Sequence, residues 1–542
     1  MKTRNKFYIS AAVLALGMSL SSCNDYLDKL PDNRMEIRNA DDASKLLISA
    51  YPQVYPAYLL ETYSDNTDFY DVPGFTAAGQ FQREAYEWRD ITDVAEYESP
   101  QELWQNIYVA IAAANQTLQF INSQSDQSAY SAQKGEALLC RAYNMLLLSE
   151  IFCDAYSPAT ASSKLGIPYP TEPETTVGTT YDRGTLKDVY DRINADIEAG
   201  LPLISDSYEQ PKYHFTRSAA CAFAAQFNLF YCNYDKAISY ANQVLGTGAP
   251  TGLRDWQQQF SVSQNGQTAP NNYINSNNRA NLLLITAYSR YGAAYGPFSY
   301  GARYAHGSLA ATEDIRSTGP WGSSQNLTNV WHNNNLTKVF VNKIPYSFEY
   351  TDIKAGIGSP HTQLPVLTTD GTLLVRAEAK ALKGDYEGAV ADINYELSAM
   401  SGGKSSVTLD GITQFYRSQP WYTPTQPTVR KHLNPDFITL DSTVQEPVLD
   451  AVLQLRRIMT IGEGTRMQDV KRYGIVIYRR TLNRSNAVTA VTDTLGVSDP
   501  RRAIQLPQDV ISSGMTANSR LGQTAQKISV KPDEWLPAAK AE

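Results

Sequence analysis

The stretch Arg376-Ala377-Glu378-Ala379-Lys380-Ala381-Leu382-Lys383-Gly384-Asp385-Tyr386-Glu387-Gly388-Ala389 holds two helical patterns and the break between them. An Ala-rich run of good helix formers reaches a small residue, and a second run opens behind an acidic side chain, so it reads as the turn of a helix pair. Asn233-Tyr234-Asp235-Lys236-Ala237 has the same form. It also follows an Ala-rich run, and the helix after it ends at Leu245 as the later one ends at Leu397.

This arrangement is similar to the tetratricopeptide pattern, in which a Tyr packs between two helices and an Ala admits the neighbouring one. At least three such pairs are needed to bury a continuous core, and helical spacing at 104–152 and 185–245 supplies the others. Further helical runs are Asp41 to Tyr55, Leu103 to Ile121, Gln133 to Phe152, Thr185 to Leu203, Arg217 to Leu245, Leu373 to Met400 and Val448 to Tyr473. Residues 250–350 turn rich in Asn, Gly, Ser and Tyr, with short apolar runs such as Leu282 to Thr286. The expected fold is mostly α, with helix pairs, long loops and a few short strands.

With 542 residues, 42% apolar and 19% charged, the chain has the composition of a globular protein with a large core. A net charge of -8 argues against a nucleic-acid partner. The 35 Tyr against 16 Phe and 7 Trp weight the aromatic content toward rings with a polar tip, which suit wet binding surfaces as well as cores. Lys2, Arg4 and Lys6 precede an apolar run from Phe7 to Leu20, and Leu20-Ser21-Ser22-Cys23 follows. Residues 1–22 read as a secretory signal too short to span a membrane with confidence. The end of the signal resembles a bacterial lipobox, which implies that Cys23 is acylated, with chains such as palmitate, and tethers the mature protein to a membrane. Cys140, Cys153, Cys221 and Cys232 form no CxxC pair, and the expected state is four buried thiols.

Catalytic motifs are missing. Gly246-Thr-Gly248-Ala-Pro-Thr-Gly252 has the wrong spacing for a dinucleotide loop, and Gly403-Lys404-Ser405 lacks the first glycine and the strand of a phosphate loop. The five histidines never fall at metal-ligand spacing, and no HExxH or GxSxG occurs. Asp65, Asp68 and Asp71 lack the alternation and glycine of a calcium loop. Glu463 and Asp469 interleave with Arg466, Lys471 and Arg472, which reads as an ion-pair network. Zinc-hydrolase and serine-hydrolase readings lose their anchor, and no metal or cofactor is expected, while glycosidase-type carboxylate pairs need no local motif.

The order of further segments resembles the SusD/RagB family. It begins with Cys23-Asn-Asp-Tyr-Leu-Asp28 and continues through Trp104-Gln-Asn-Ile-Tyr108 with Asn115, Glu136-Ala-Leu-Leu-Cys-Arg141-Ala-Tyr143 and Gly166-Ile-Pro168-Tyr-Pro170. Tyr190-Asp-Arg-Ile193 with Asp196, Thr216-Arg217, Arg376-Ala-Glu378-Ala, Glu463-Gly464-Thr465-Arg466 with Asp469, and Asp499-Pro500-Arg501 with Leu506-Pro507 complete the series. Ile504-Gln505-Leu506-Pro507 lacks the family's usual aromatic, and the tail from Thr516 to Glu542 has no counterpart. The resemblance implies an outer-membrane, surface-exposed, lipid-anchored protein with no catalytic activity. It implies binding of oligosaccharides and their delivery to a SusC-type TonB-dependent transporter, with oligopeptide capture of the RagB kind as the alternative. The expected organisation is a signal at 1–22, a helical region at 23–250, a loop-rich insertion at 251–360 carrying the candidate ligand face, and a C-terminal region at 361–542.

Sugar rings stack their apolar faces on aromatics and bond their hydroxyls to carboxylates, amides and arginine. Two loop-rich stretches offer that mixture: Ser64 to Asp71, with Arg83 and Trp88 close by, and Tyr288 to Trp331, which includes Arg303. From them Asp68, Trp88, Tyr300, Tyr304 and Trp321 are taken as the candidate ligand-binding residues.

Overall fold

The computed structural model describes residues 37–520 except 175–180, 265, 297–298, 300, 329–330 and 333–337. The signal, Cys23, Tyr300 and the tail beyond Arg520 lie outside the described residues.

Eight helices form the scaffold: α1 (Pro100–Asn122), α2 (Ser131–Phe152), α3 (Leu186–Gly200), α4 (Arg217–Phe230), α5 (Tyr234–Leu245), α6 (Thr369–Leu382), α7 (Tyr386–Ser401) and α8 (Gln445–Met459). Their starts are written locally. Ser99 accepts from Glu102 N with Pro100 in the first turn, Thr185 and Asp188 form a reciprocal capping box, and Thr216 accepts from Ala219 N. Neighbours pack in chain order from α1 to α3 and within the α4–α5 and α6–α7 pairs, and α5 packs directly on α6. The stack is therefore continuous in space, although the chain leaves it after Leu245 and rejoins it at Thr369.

The two look-alike turns share a backbone geometry. Cys232 and Gly384 stand at the same place and both adopt left-handed conformations, with φ of 62° and 84°. The next residues, Asn233 and Asp385, cap α5 and α7 by accepting from Lys236 N and Gly388 N. A second feature recurs as well. Arg141 on α2 grips Asp196 on α3 with two bonds of 2.7 Å and donates to Asn115 on α1. Arg376 on α6 grips Asp392 on α7 at 2.9 and 2.7 Å and donates to Asn242 on α5. Each planar guanidinium thus ties three helices through one buried fork.

Two helical runs end sooner than their patterns suggest. The first stops as Ala40–Leu47 with a 3-10 turn at Ile48–Ala50, because Pro52 holds Tyr51 in extended backbone. The run Val448 to Tyr473 breaks after Met459 and resumes at Arg466–Arg472. Gly462 and Gly464 are left-handed there, and a Cβ on Gly464 would stand 2.7 Å from Ala57 Cα. Both glycine N–H groups donate to Glu61 Oε1.

Strands β1 (Asp68–Tyr70), β2 (Asn281–Tyr288), β3 (Tyr304–Ala305), β4 (Ser347–Asp352), β5 (Ile357–Thr368), β6 (Ile477–Leu482) and β7 (Val488–Leu495) build two sheets. One has the order β7-β6-β1-β3, with β1 parallel to β6 and antiparallel to β3. The other is the antiparallel sheet β2-β5-β4. The β1–β6 pairing joins the two ends of the chain, with Phe69 beside Thr481. Cys140, Cys153 and Cys221 are buried free thiols and Cys232 is half-buried.

Candidate functional site: an aromatic face on the mixed sheet

Asp68 and Tyr304 stand on adjacent strands one register step apart, Asp68 beside Ala305 and Tyr304 beside Phe69, and Trp88 is linked to Tyr304 through Arg479 and Tyr86. Asp68 points inward, where its Oδ2 accepts from Leu309 N at 3.1 Å and Ala310 N at 2.9 Å. Burial pushes its carboxyl up to about 7, against the pull of these two N–H groups. Trp88 is buried in left-handed backbone, φ 50°, and its Nε1 donates to Tyr63 O. The Arg479 guanidinium lies 3.9 Å from the Trp88 ring and 4.1 Å from that of Tyr86. Tyr86 in turn lies 4.8 Å from Tyr304, which stacks on Phe69 at 4.9 Å.

Trp321 stands apart from this group. Its ring covers Gly319, where a Cβ would come within 2.4 Å, and its Nε1 donates to Ser324 Oγ. No ring contact or hydrogen bond joins it to Asp68, Trp88 or Tyr304 among the described residues. Asp68 and Trp321 are 7% exposed, Tyr304 4% and Trp88 2%, so all four lie inside. They support a face rather than present one.

The residues that open outward are neighbours of those singled out in the sequence. Along β1 the burial alternates, so Phe69 is half-buried while Asp68 and Tyr70 are inside. Arg83 and Asp71 are exposed, and Glu87 and Arg303 are half-exposed. Tyr304 is pushed up to about 12, first by burial and then by Glu87, with Arg83 and Arg303 opposing, which brackets its ring with charged groups. Its hydroxyl makes no hydrogen bond among the described residues. Arg303 reaches Asp71 through Nη1 at 3.5 Å, while its buried Nε has no partner among them. The face thus combines the half-buried Phe69 ring, backed by the buried Tyr304, with the charged groups of Asp71, Arg83, Glu87 and Arg303. Period-two alternation in β1 was the signal that distinguishes Phe69 from Asp68.

Several buried carboxylates elsewhere are engaged by cations. Asp65 meets Lys431 at 2.6 Å and Arg466 at 2.8 Å, and Glu313 meets Lys431, Arg457 and Arg480. Despite burial, Arg457 and Arg466 hold Asp65 well below the usual carboxylate range. Glu463 pairs with Lys343 and accepts from Tyr273, whereas Asp469 pairs with Arg456. The two belong to separate ion pairs, and the cations interleaved with them in sequence reach other partners: Arg466 binds Asp65, Arg472 binds Glu378, and Lys471 bonds backbone carbonyls. Among the described residues no group of three His, Cys, Asp or Glu could hold a metal, and no helix is long and apolar enough to cross a membrane.

A continuous stack of helix pairs carries loops and a small mixed sheet with an aromatic face. Residues 25–229 match the SusD-like family described as starch-binding and associating with the outer membrane. The fold is that of solved SusD superfamily structures. One from Bacteroides thetaiotaomicron VPI-5482 has 19% identity and a TM-score of 0.57, covering 89% of this chain and 100% of that one. One from Bacteroides vulgatus ATCC 8482 has 16% identity and a TM-score of 0.60, covering 89% and 99%. A protein titled laminarin binding SusD-like protein has 16% identity and a TM-score of 0.52, covering 89% and 99%. No curated protein matches the chain. Residues 25–229 thus resemble the SusD-like family model, and the whole described chain shares the fold of SusD superfamily structures.

Proposed function

We propose that the protein is a surface-exposed, lipid-anchored binder of oligosaccharides that passes them to a SusC-type TonB-dependent transporter of the outer membrane. The observation that carries the ligand assignment is the half-buried Phe69 ring, backed by the stacked and buried Tyr304 and bordered by Asp71, Arg83, Glu87 and Arg303. Flat rings for sugar faces and charged groups for hydroxyls are the two requirements of carbohydrate recognition. The starch-binding description of the matching family and the laminarin-binding title of one neighbour support the same ligand class. Asp68 and Trp88 serve the site by holding β1 and Tyr86 in place. Trp321 is the member of the set with the weakest link to this face. The anchor rests on the Leu20-Ser21-Ser22-Cys23 sequence.

Calorimetry of residues 24–542 against laminarin and starch oligosaccharides, with mixed oligopeptides as the alternative ligand class, tests this reading. Heat from one saccharide class is expected. Arg303→Ala and Tyr304→Phe should each weaken that binding about tenfold, or about 1.4 kcal/mol, with little change in melting temperature. Full affinity in both variants would remove the ligand from this face, and heat from peptides alone would favour the peptide-binding alternative. Cys23→Ala should abolish incorporation of a labelled fatty acid in cells, and label retained by that variant would refute the anchor.

A further inference from the structure

A second concave site lies on the far wall of the first helix pair, in a cavity of about 340 Å³. Its floor is apolar, made of Trp104 and Tyr108 on α1 together with Tyr181 and Met515. Its rim is acidic, with Glu172, Glu174 and Asp509, and no Lys or Arg lines it among the described residues. The loop that forms one side is pinned to α1, since Tyr108 Oη donates to Pro168 O and Asn115 Nδ2 to Pro170 O. The opposite side is the C-terminal segment itself. Beyond Met515 the chain stays close, as Asn518 donates to Phe152 O and accepts from Arg183, and Phe152 packs edge-on against Trp104 at 5.2 Å. Arg520 is then held by Asp90 and donates to Pro500 O.

The sequence that continues from there suits this cavity. Lys527-Ile528-Ser529-Val530-Lys531-Pro532 alternates apolar and polar residues, so an extended backbone puts Ile528 and Val530 on one face and both lysines on the other, from which their flexible stems reach back toward a rim. From 520 to 527 an extended chain covers up to about 25 Å, ample to turn back along the wall that Met515 begins.

We propose that Lys527–Pro532 of the same chain docks in this cavity, with Ile528 and Val530 on the Trp104–Tyr108 floor and Lys527 and Lys531 against Glu172, Glu174 and Asp509. The segment covers an apolar floor and neutralises a single-sign rim, and it leaves the cavity at Asp533-Glu534, where like charges would repel it. The sugar-binding face is a separate surface, so this docking stands or falls independently of the proposed ligand.

The test is made in the full chain with a photo-crosslinking phenylalanine analogue in place of Ile528. Crosslinks within the same molecule to 104–115, 168–174 or 509–515 are expected. The variants Lys527→Glu with Lys531→Glu, and Glu172→Gln with Glu174→Gln and Asp509→Asn, should each lower the yield at least fivefold. Crosslinks elsewhere, crosslinks only to a second copy, no crosslink at all, or a yield unchanged in both charge variants would overturn the proposal.

Discussion

Cys232 and Gly384 occupy one position in two copies of a turn, and only one of them is a glycine. A left-handed backbone costs a side-chain-bearing residue about 1 kcal/mol, because Cβ crowds the following carbonyl. Nothing lies within 4 Å of the Cβ that an alanine would bring to Gly384, so Gly384→Ala isolates that backbone cost. A loss of about 1 kcal/mol is expected from urea unfolding, and Cys232→Gly should gain a similar amount in the other turn. A neutral Gly384→Ala would mean that the turn relaxes without penalty. The same attention to single residues explains the ligand face. Asp68 and Phe69 are adjacent in sequence and point to opposite sides of one strand, so a segment chosen for its composition still leaves half of its members inside.

The helix pairs are held by more than apolar stripes. Arg141–Asp196 and Arg376–Asp392 are buried forks that each bind a third helix through an asparagine. Removing one partner of such a pair leaves an uncompensated charge in the core, so Arg376→Ala should cost about 3–5 kcal/mol. Replacing both partners with apolar residues, as in Arg376→Met with Asp392→Leu, should recover most of that loss. Denaturant unfolding of the single and double variants measures it, and a double variant no better than the single one would show that the link to Asn242 and Gly246 matters more than the ion pair. These elements were legible in the sequence because caps, glycine stops and Ala-rich faces act over a few residues. The break at Gly462–Gly464 was not, since its cause is Glu61 and Ala57, brought there from the other end of the chain.

For the whole molecule, buried acids set the response to pH. Burial pushes Glu98 up to about 8 and Asp68, Glu150 and Asp314 up to about 7. Such groups take up protons on folding, so their stabilising contribution is complete below the unfolded carboxylate range and is lost as pH rises through 7 to 8. Glu378 has the opposite sign: against the effect of burial, Arg472 and Arg456 hold it at about 2, and its contribution disappears as pH falls toward that value. Melting temperature should therefore be highest near about pH 5 and decline toward pH 9, and Glu98→Gln should flatten part of the decline. A melting temperature that climbs from pH 5 to 9 would contradict this balance.

The sequence by itself determined the helix pairs, their repeated turn, the lipobox-like signal and the segments from which a ligand face is built. Each of these is set by interactions within a turn or two of chain, or by the order of short motifs. Only the tertiary structure decided that α5 packs on α6 across the insertion, that β1 pairs with β6, and that Phe69 and Arg303 face outward while Trp88 and Trp321 are covered. Whether a ring is floor or core depends on which distant residues take its other face. For Trp88 those are Arg479 and Tyr63, and no local pattern around residue 88 encodes them.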